Sequence, residues 1–161
     1  MPLILAAAEP LASIFRSVNS YPHLALAGID GNPERMPPAE LAARARTVLD
    51  ELYAQELRDT HELFERRRAE GRALIDVGEV ARAATRGAVD TVLVDMNEIV
   101  PGSVDEQTGA VTFADGASTD RYGVVDEIAR RTWLAGGRVL AVRRDDVPGR
   151  TSVAAILRYA L

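Results

Sequence analysis

One stretch limits the architecture of this chain more than any other. "PPAELAARARTVLDELYAQELRDTHELFERRRAEG" begins at the double proline Pro37 and Pro38 and stops at Gly71. Proline suits the first turn of a helix, where its missing N–H is not needed, and glycine suits the left-handed residue that closes one. Leu41, Ala45, Val48, Leu49 and Leu52 fall on one apolar stripe, which Leu57, Leu63 and Phe64 continue less cleanly. At about 1.5 Å per residue this is roughly 50 Å of helix, against roughly 40 Å expected across a compact domain of this size. Such a helix is expected to kink or to project.

The segments on either side are shorter. "PLILAAA", from Pro2 to Ala8, reads as a buried strand, and "LASIFRSV", from Leu11 to Val18, as a helix entered through Pro10. From Ser20 to Pro38 four prolines and two glycines break the pattern, with "HLALAG" as a short strand inside an irregular connection. After the long helix, "DVGEVARAATRG" predicts a helix with Asp76 as N-cap, Glu79 as its capping-box partner and Gly87 as its stop. "AVDTVLVDM" follows as a central strand, because its apolar residues do not alternate with polar ones. Between Asn97 and Asp120, Thr108 and Gly109 precede the strand-like "AVTF" and signal a hairpin. A helix is expected from Tyr122 to Leu134, capped by Gly136 and Gly137, and then "RVLAVRR" and "TSVAAILRYAL" as strands. Strands and helices alternating over short connections predict an α/β layered sheet.

Composition fits this and excludes several chemistries. The chain has 161 residues, 47% of them hydrophobic and only 5% aromatic, so one core built from Ala, Val, Leu and Ile is expected. There is no cysteine, which removes disulfides, thiolate catalysis and Cys-based zinc sites and fits a reducing compartment. No apolar run approaches the ~20 residues of a membrane span, and "MPLILAAAEP" lacks the basic start of a signal peptide. The expectation is a soluble, cytoplasmic protein with no membrane partner. A net charge of -5 argues against indiscriminate binding of nucleic acid and leaves room for a local basic face. All 19 basic residues are arginine, so neither a catalytic lysine nor the lysine of a phosphate-binding P-loop is available.

Each chemical signal has a plain structural reading beside it. His23 and His61 are the two histidines, neither stands in a nucleophile arrangement such as G-x-S-x-G, and both read as surface or packing residues. Asp95 ends one predicted strand, while Asp145 and Asp146 follow another. Carboxylates at strand C-termini could hold magnesium, and the competing reading is solvated loop acids. The arginines of "ERRRAEGR" sit at a helix C-terminus, where cations complement the dipole, with Glu65 and Glu70 among them. Gly136 and Gly137 form a helix stop, and no G-x-G-x-x-G follows a predicted strand, so no cofactor is expected.

"DVGEVARAATRGAVDTVLVD" and the terminal "GGRVLAVRRDDVPGRTSVAAILRYAL", with Ile156, Leu157, Arg158 and Tyr159 in its last strand, carry a resemblance. Together they resemble the C-terminal domain of the class-1 translation release factor of eukaryotes and archaea and of its ribosome-rescue relative Pelota. The chain is most similar to the bacterial branch, the bacterial archaeo-eukaryotic release factor group. The resemblance covers residues 40 to 161 and implies a three-layer α/β/α sandwich with a mixed sheet, similar to the kink-turn-binding ribosomal proteins and preceded by a long helix. It also implies that residues 1–36 are like the tail of a preceding middle domain, that residues 37–161 are the C-terminal domain, and that the chain is a fragment of a longer protein.

The family's Gly-Gly-Gln hydrolytic loop is absent, so no peptidyl-tRNA hydrolysis is assigned and the chain is not expected to be an enzyme. Kink-turn binders open their helix with Asn-Glu followed by a basic residue; here Gly78 and Glu79 stand in that place, with Arg82 and Arg86 after them. The resulting expectation is a non-catalytic interaction domain that docks a protein partner or the ribosome. Its candidate contacts are Glu79, Arg82, Arg86, Arg143, Arg144 and Arg150, with the loops from Asp95 to Asp120 and from Arg143 to Arg150. Two alternatives stand beside it. One is an RNA-binding module using Glu79, Arg82 and Arg86, and the other is a magnesium-dependent phosphoesterase using Asp95, Asp145 and Asp146. Self-association through the long helix is left open, and DNA is not an expected partner.

Overall fold

A computed structural model describes residues 1–114 and 123–161, which divide into two compact units, Met1–Arg58 and Asp59–Leu161. The first unit holds β1 (Ala6–Ala7), α1 (Leu11–Val18) and β2 (Ile29–Asp30), with β1 and β2 parallel. The expected first strand is therefore shorter than its apolar run. A bridge between Leu3 and Leu24 extends the pairing, so "HLALAG" contributes one bridge and the strand proper comes after it.

The orientation of α1 runs against its sequence. Leu11, Ile14, Phe15 and Val18 repeat at the spacing of an inward stripe, yet Leu11 is 66% and Val18 74% exposed. Ala12, Arg16 and Asn19 are the half-buried residues instead, and Arg16 Nη1 donates to the Ala25 carbonyl at 3.0 Å. Ala25, Ile29 and Val48 are the buried apolar residues of this unit.

The long helix, α2 (Pro38–Ala69), forms as one uninterrupted element that begins in the first unit and ends in the second. Gly71 closes it at φ 69°, with Arg72 N donating to the Arg67 carbonyl at 2.7 Å. No helix among the described residues is long and apolar enough to cross a membrane.

The second unit continues with β3 (Ala73–Leu74), α3 (Val77–Thr85), β4 (Val89–Asp95), β5 (Gly102–Val104) and β6 (Val111–Phe113). It closes with α4 (Val124–Leu134), β7 (Arg138–Val142) and β8 (Val153–Leu157). The sheet order is β3-β8-β4-β7. β4 and β7 are parallel from Thr91↔Arg138 to Asp95↔Val142, whereas β8 runs antiparallel to both β3 and β4. The sheet is thus mixed, and only β4 and β7 bring C-terminal ends to the same edge.

β4 is central, and six of its seven residues are buried. Val89, Val92 and Val94 join Val153, Ala155 and Leu157 in a core with Val80, Ala81 and Ala84 of α3 and Val124, Val125 and Ile128 of α4. Leu93, Ala154 and Ile156, the alternate residues, are buried on the other face, and Phe64 of α2 is only 1% exposed. With both faces covered, β4 shows no polar alternation. The expected α/β/α arrangement with a mixed sheet, preceded by a long helix, is the observed one. The expected hairpin forms from β5 and β6, and the helix expected from Tyr122 begins at Val124, Tyr122 lying outside the described residues.

Candidate functional site

The α3 face is built by its caps. Asp76 Oδ1 accepts from Glu79 N at 2.9 Å, so the N-cap forms as expected, and Gly87 ends the helix at φ 67°. Glu79, Arg82 and Arg86 share one exposed face and span about 10 Å along the axis. The Arg82 and Arg86 guanidinium groups have no hydrogen bond or ion pair among the described residues.

Beside this face stands the turn of the β5–β6 hairpin. Asp105 Oδ1 accepts from Thr108 Oγ1 and Thr108 N, each at 2.7 Å, and from Gln107 N at 3.1 Å. The Thr108 hydroxyl first, then the Thr108 N–H, hold the Asp105 carboxyl below its ordinary pKa. Gly109, at φ 72°, then passes so close to α3 that an added Cβ would stand 2.7 Å from Arg82 Cα and 2.9 Å from the Ala81 carbonyl oxygen.

Arg131 of α4 locks this arrangement, and sequence reasoning missed it. Its Nη1 donates to Thr85 Oγ1 at 2.6 Å and to the Asp105 carbonyl at 3.0 Å, and its Nη2 to the Val104 carbonyl at 3.1 Å. Its Nε donates to Glu127 Oε1 at 2.7 Å. Arg130 grips the same carboxylate through Nε and Nη2, both at 2.7 Å. Chiefly through Arg130, and then Arg131, the Glu127 pKa is lowered to about 2. The one signal in the sequence was the i,i+4 spacing of Glu127 and Arg131.

The second cluster lies where β4 and β7 end. Arg144 Nη1 forms an ion pair with Glu98 Oε2 at 3.3 Å, and Arg144 Nε donates to the Arg150 carbonyl at 3.1 Å. Arg150 Nε stands 3.5 Å from Asp145 Oδ1, both side chains well exposed, so the pair contributes little. Arg150 has φ 53°, following Gly149 at 77°, a left-handed pair that costs about 1 kcal/mol at the non-glycine residue. His61 of α2 bonds through Nε2 to the Asp146 carbonyl at 2.7 Å, which gives this histidine a packing role. Arg143 is exposed and has no partner among the described residues.

The structure brings Arg144, Arg150, Asp145 and Asp146 into one loop and places Gly149 against Ile75, just before α3. Arg86, at the far end of α3, is not part of that cluster. Asp95 is buried and accepts from Asn97 N at 2.9 Å through Oδ1. Among the described residues no group of three or more His, Cys, Asp or Glu could hold a metal ion, so Asp95, Asp145 and Asp146 do not form the magnesium site of the phosphoesterase alternative. Residues 115–120 of the first candidate loop lie outside the described residues.

The fold is a mixed α/β one, and comparison with known proteins shows what it is similar to. Residues 1–55 match the model of Bacterial archaeo-eukaryotic release factor family 11. No curated protein matches the chain. Pelota from Archaeoglobus fulgidus superposes at TM-score 0.50 and 18% identity, over 97% of this chain and 49% of its own. An archaeal Pelota, from a model of ribosome-bound Pelota and ABCE1, does so at 0.58 and 20%, over 97% and 43%. The C-terminal domain of the peptide chain release factor from Methanosarcina mazei does so at 0.50 and 16%, over 79% of this chain and 98% of its own. The chain therefore spans less than half the length of the two Pelota chains. The bacterial branch expected from residues 40–161 is met by a family model that falls on the other end of the chain.

Proposed function

We propose that the chain is a non-catalytic interaction region of a cytoplasmic translation-release or ribosome-rescue-like protein. The observation that carries this is the coincidence of two independent likenesses: the family match at residues 1–55 and the Pelota fold over 97% of the chain. In this reading residues 37–161 are the docking domain and residues 1–36 the tail of a preceding middle domain. The near-complete coverage of the Methanosarcina mazei domain supports the first part. The second is supported by the outward apolar stripe of α1 and by a parallel sheet of only two short strands, neither of which is stable on its own.

The sheet acts as scaffold, and the described parts of the two loops at the β4 and β7 ends, with α3, supply the contacts. A second reading, RNA binding by Glu79, Arg82 and Arg86, is favoured by two guanidinium groups without partners among the described residues. Both are tested by co-sedimentation of the chain with ribosomes across a salt series, using wild type, Arg143→Glu with Arg144→Glu, and Arg82→Glu. Loss with the loop pair at a shallow salt slope supports protein docking, while loss with Arg82→Glu and a steep slope supports RNA. Absence of binding in wild type would overturn both.

A further inference from the structure

At the end of the sheet away from the 143–150 loop, α2, α3, α4 and β8 all finish together. Arg158 ties these ends: its N donates to the Ala88 carbonyl at 2.9 Å, its Nε to Val89 at 3.2 Å and its Nη2 to Ala135 at 3.0 Å. Leu157 N donates to the Arg72 carbonyl at 2.9 Å, which brings in the segment after α2. A Cβ on Gly87 would lie 3.8 Å from Ala135 Cβ, so the C-termini of α3 and α4 touch.

This end carries large apolar side chains that the core does not use. Trp133 is 71% exposed, Leu134 69% and Tyr159 52%. It also carries positive charge in a chain whose net charge is -5. Among the described residues the Arg158 guanidinium donates to two backbone carbonyls and to no carboxylate, and Arg86 has no partner. Of the acids at this end, Glu70 is engaged by Arg67 at 2.7 Å and Arg72 at 3.4 Å, and Asp90, next to Val89, accepts from the Thr91 hydroxyl at 3.1 Å.

We propose that this end face docks an acidic amphipathic peptide segment of a partner protein, its apolar side chains over Trp133 and Leu134 and its carboxylates toward Arg86 and Arg158. Apolar surface flanked by guanidinium groups that no carboxylate neutralises among the described residues is complementary to that chemistry. Nucleic acid fits less well: Trp133 and Tyr159 offer stacking faces, but the acidic chain repels phosphates at longer range. The surface is separate from the 143–150 loop and shares only Arg86 with the α3 face, so the Trp133 emission and Leu134→Ser distinguish it from both contacts.

Trp133 is the sole tryptophan, so its emission reports this face alone. The probe is a synthetic helical peptide with Glu on one face and Leu and Phe on the other, compared with its Lys-for-Glu counterpart and with oligouridylate. The expected result is a saturable blue shift with the Glu peptide only, and a loss of about three- to tenfold in affinity for Arg86→Glu, with a larger loss for Leu134→Ser. Circular dichroism checks that both variants fold. No shift with the Glu peptide, an equal shift with the Lys peptide or the oligonucleotide, or unchanged binding by both variants would overturn the proposal.

Discussion

Arg131 Nη1 and Thr85 Oγ1 stand 2.6 Å apart, and through that contact one side chain of α4 holds both α3 and the hairpin. The same guanidinium donates to the Val104 carbonyl and to the Asp105 carbonyl, which also accepts from Gly109 N at 3.1 Å. Arg131→Ala is expected to destabilise the protein by about 1–3 kcal/mol, because it removes a donor from the Val104 carbonyl and unties α4 from Thr85, while Glu127 keeps Arg130. Urea unfolding followed by circular dichroism measures this, and a change under about 0.5 kcal/mol would remove the clamp.

Glu127 should make stability depend on acid pH. Its folded pKa of about 2 lies below the ordinary 4.5, so the stabilisation is fully present above pH 4.5 and is lost as pH falls from there toward 2. Allowing for solvent screening at the exposed Arg130, the amount is about 1–2 kcal/mol. Wild type and Glu127→Gln should therefore differ at about pH 6 and converge near pH 2. Parallel curves across that window would contradict the assignment.

Two glycines with left-handed φ should respond differently to alanine. Gly71, with nothing within 4 Å of an added Cβ, should lose about 1 kcal/mol from backbone strain alone. Gly109 carries the same strain and adds a collision with α3 backbone, so about 2–3 kcal/mol is expected, with faster amide exchange at Gly102–Val104 and Val111–Phe113. Equal losses at the two sites would mean that the hairpin is not docked.

The 143–150 loop depends on a histidine from α2. His61→Ala removes the bond to the Asp146 carbonyl and should cost about 1 kcal/mol, while trypsin cleavage after Arg143, Arg144 and Arg150 speeds up. Unaltered cleavage rates would show that the loop holds its shape without His61.

What could be read in advance was local. The Pro37–Pro38 start and Gly71 stop bounded α2, Asp76 and Gly87 bounded α3, and the unbroken apolar run of β4 marked it as central. Relations between distant residues stayed hidden. Nothing near Arg131 announces that Val104 and Asp105 will need its donors, and no pattern in α1 says that its apolar stripe will face outward. The two-residue β3 was missed because it is defined only by its pairing with Ala155 and Ile156. Candidate residues on α3 came from the resemblance to kink-turn binders, and helical spacing puts Glu79, Arg82 and Arg86 on one face.

The order β3-β8-β4-β7 leaves the sheet with unequal margins. β3 is two residues long and offers a newcomer almost nothing to pair with. β7 is five residues long and, among the described residues, pairs only with β4. If chains of this protein ever aggregate by adding strands to this sheet, growth has one address, and it begins at Arg138, whose charge is a natural deterrent there.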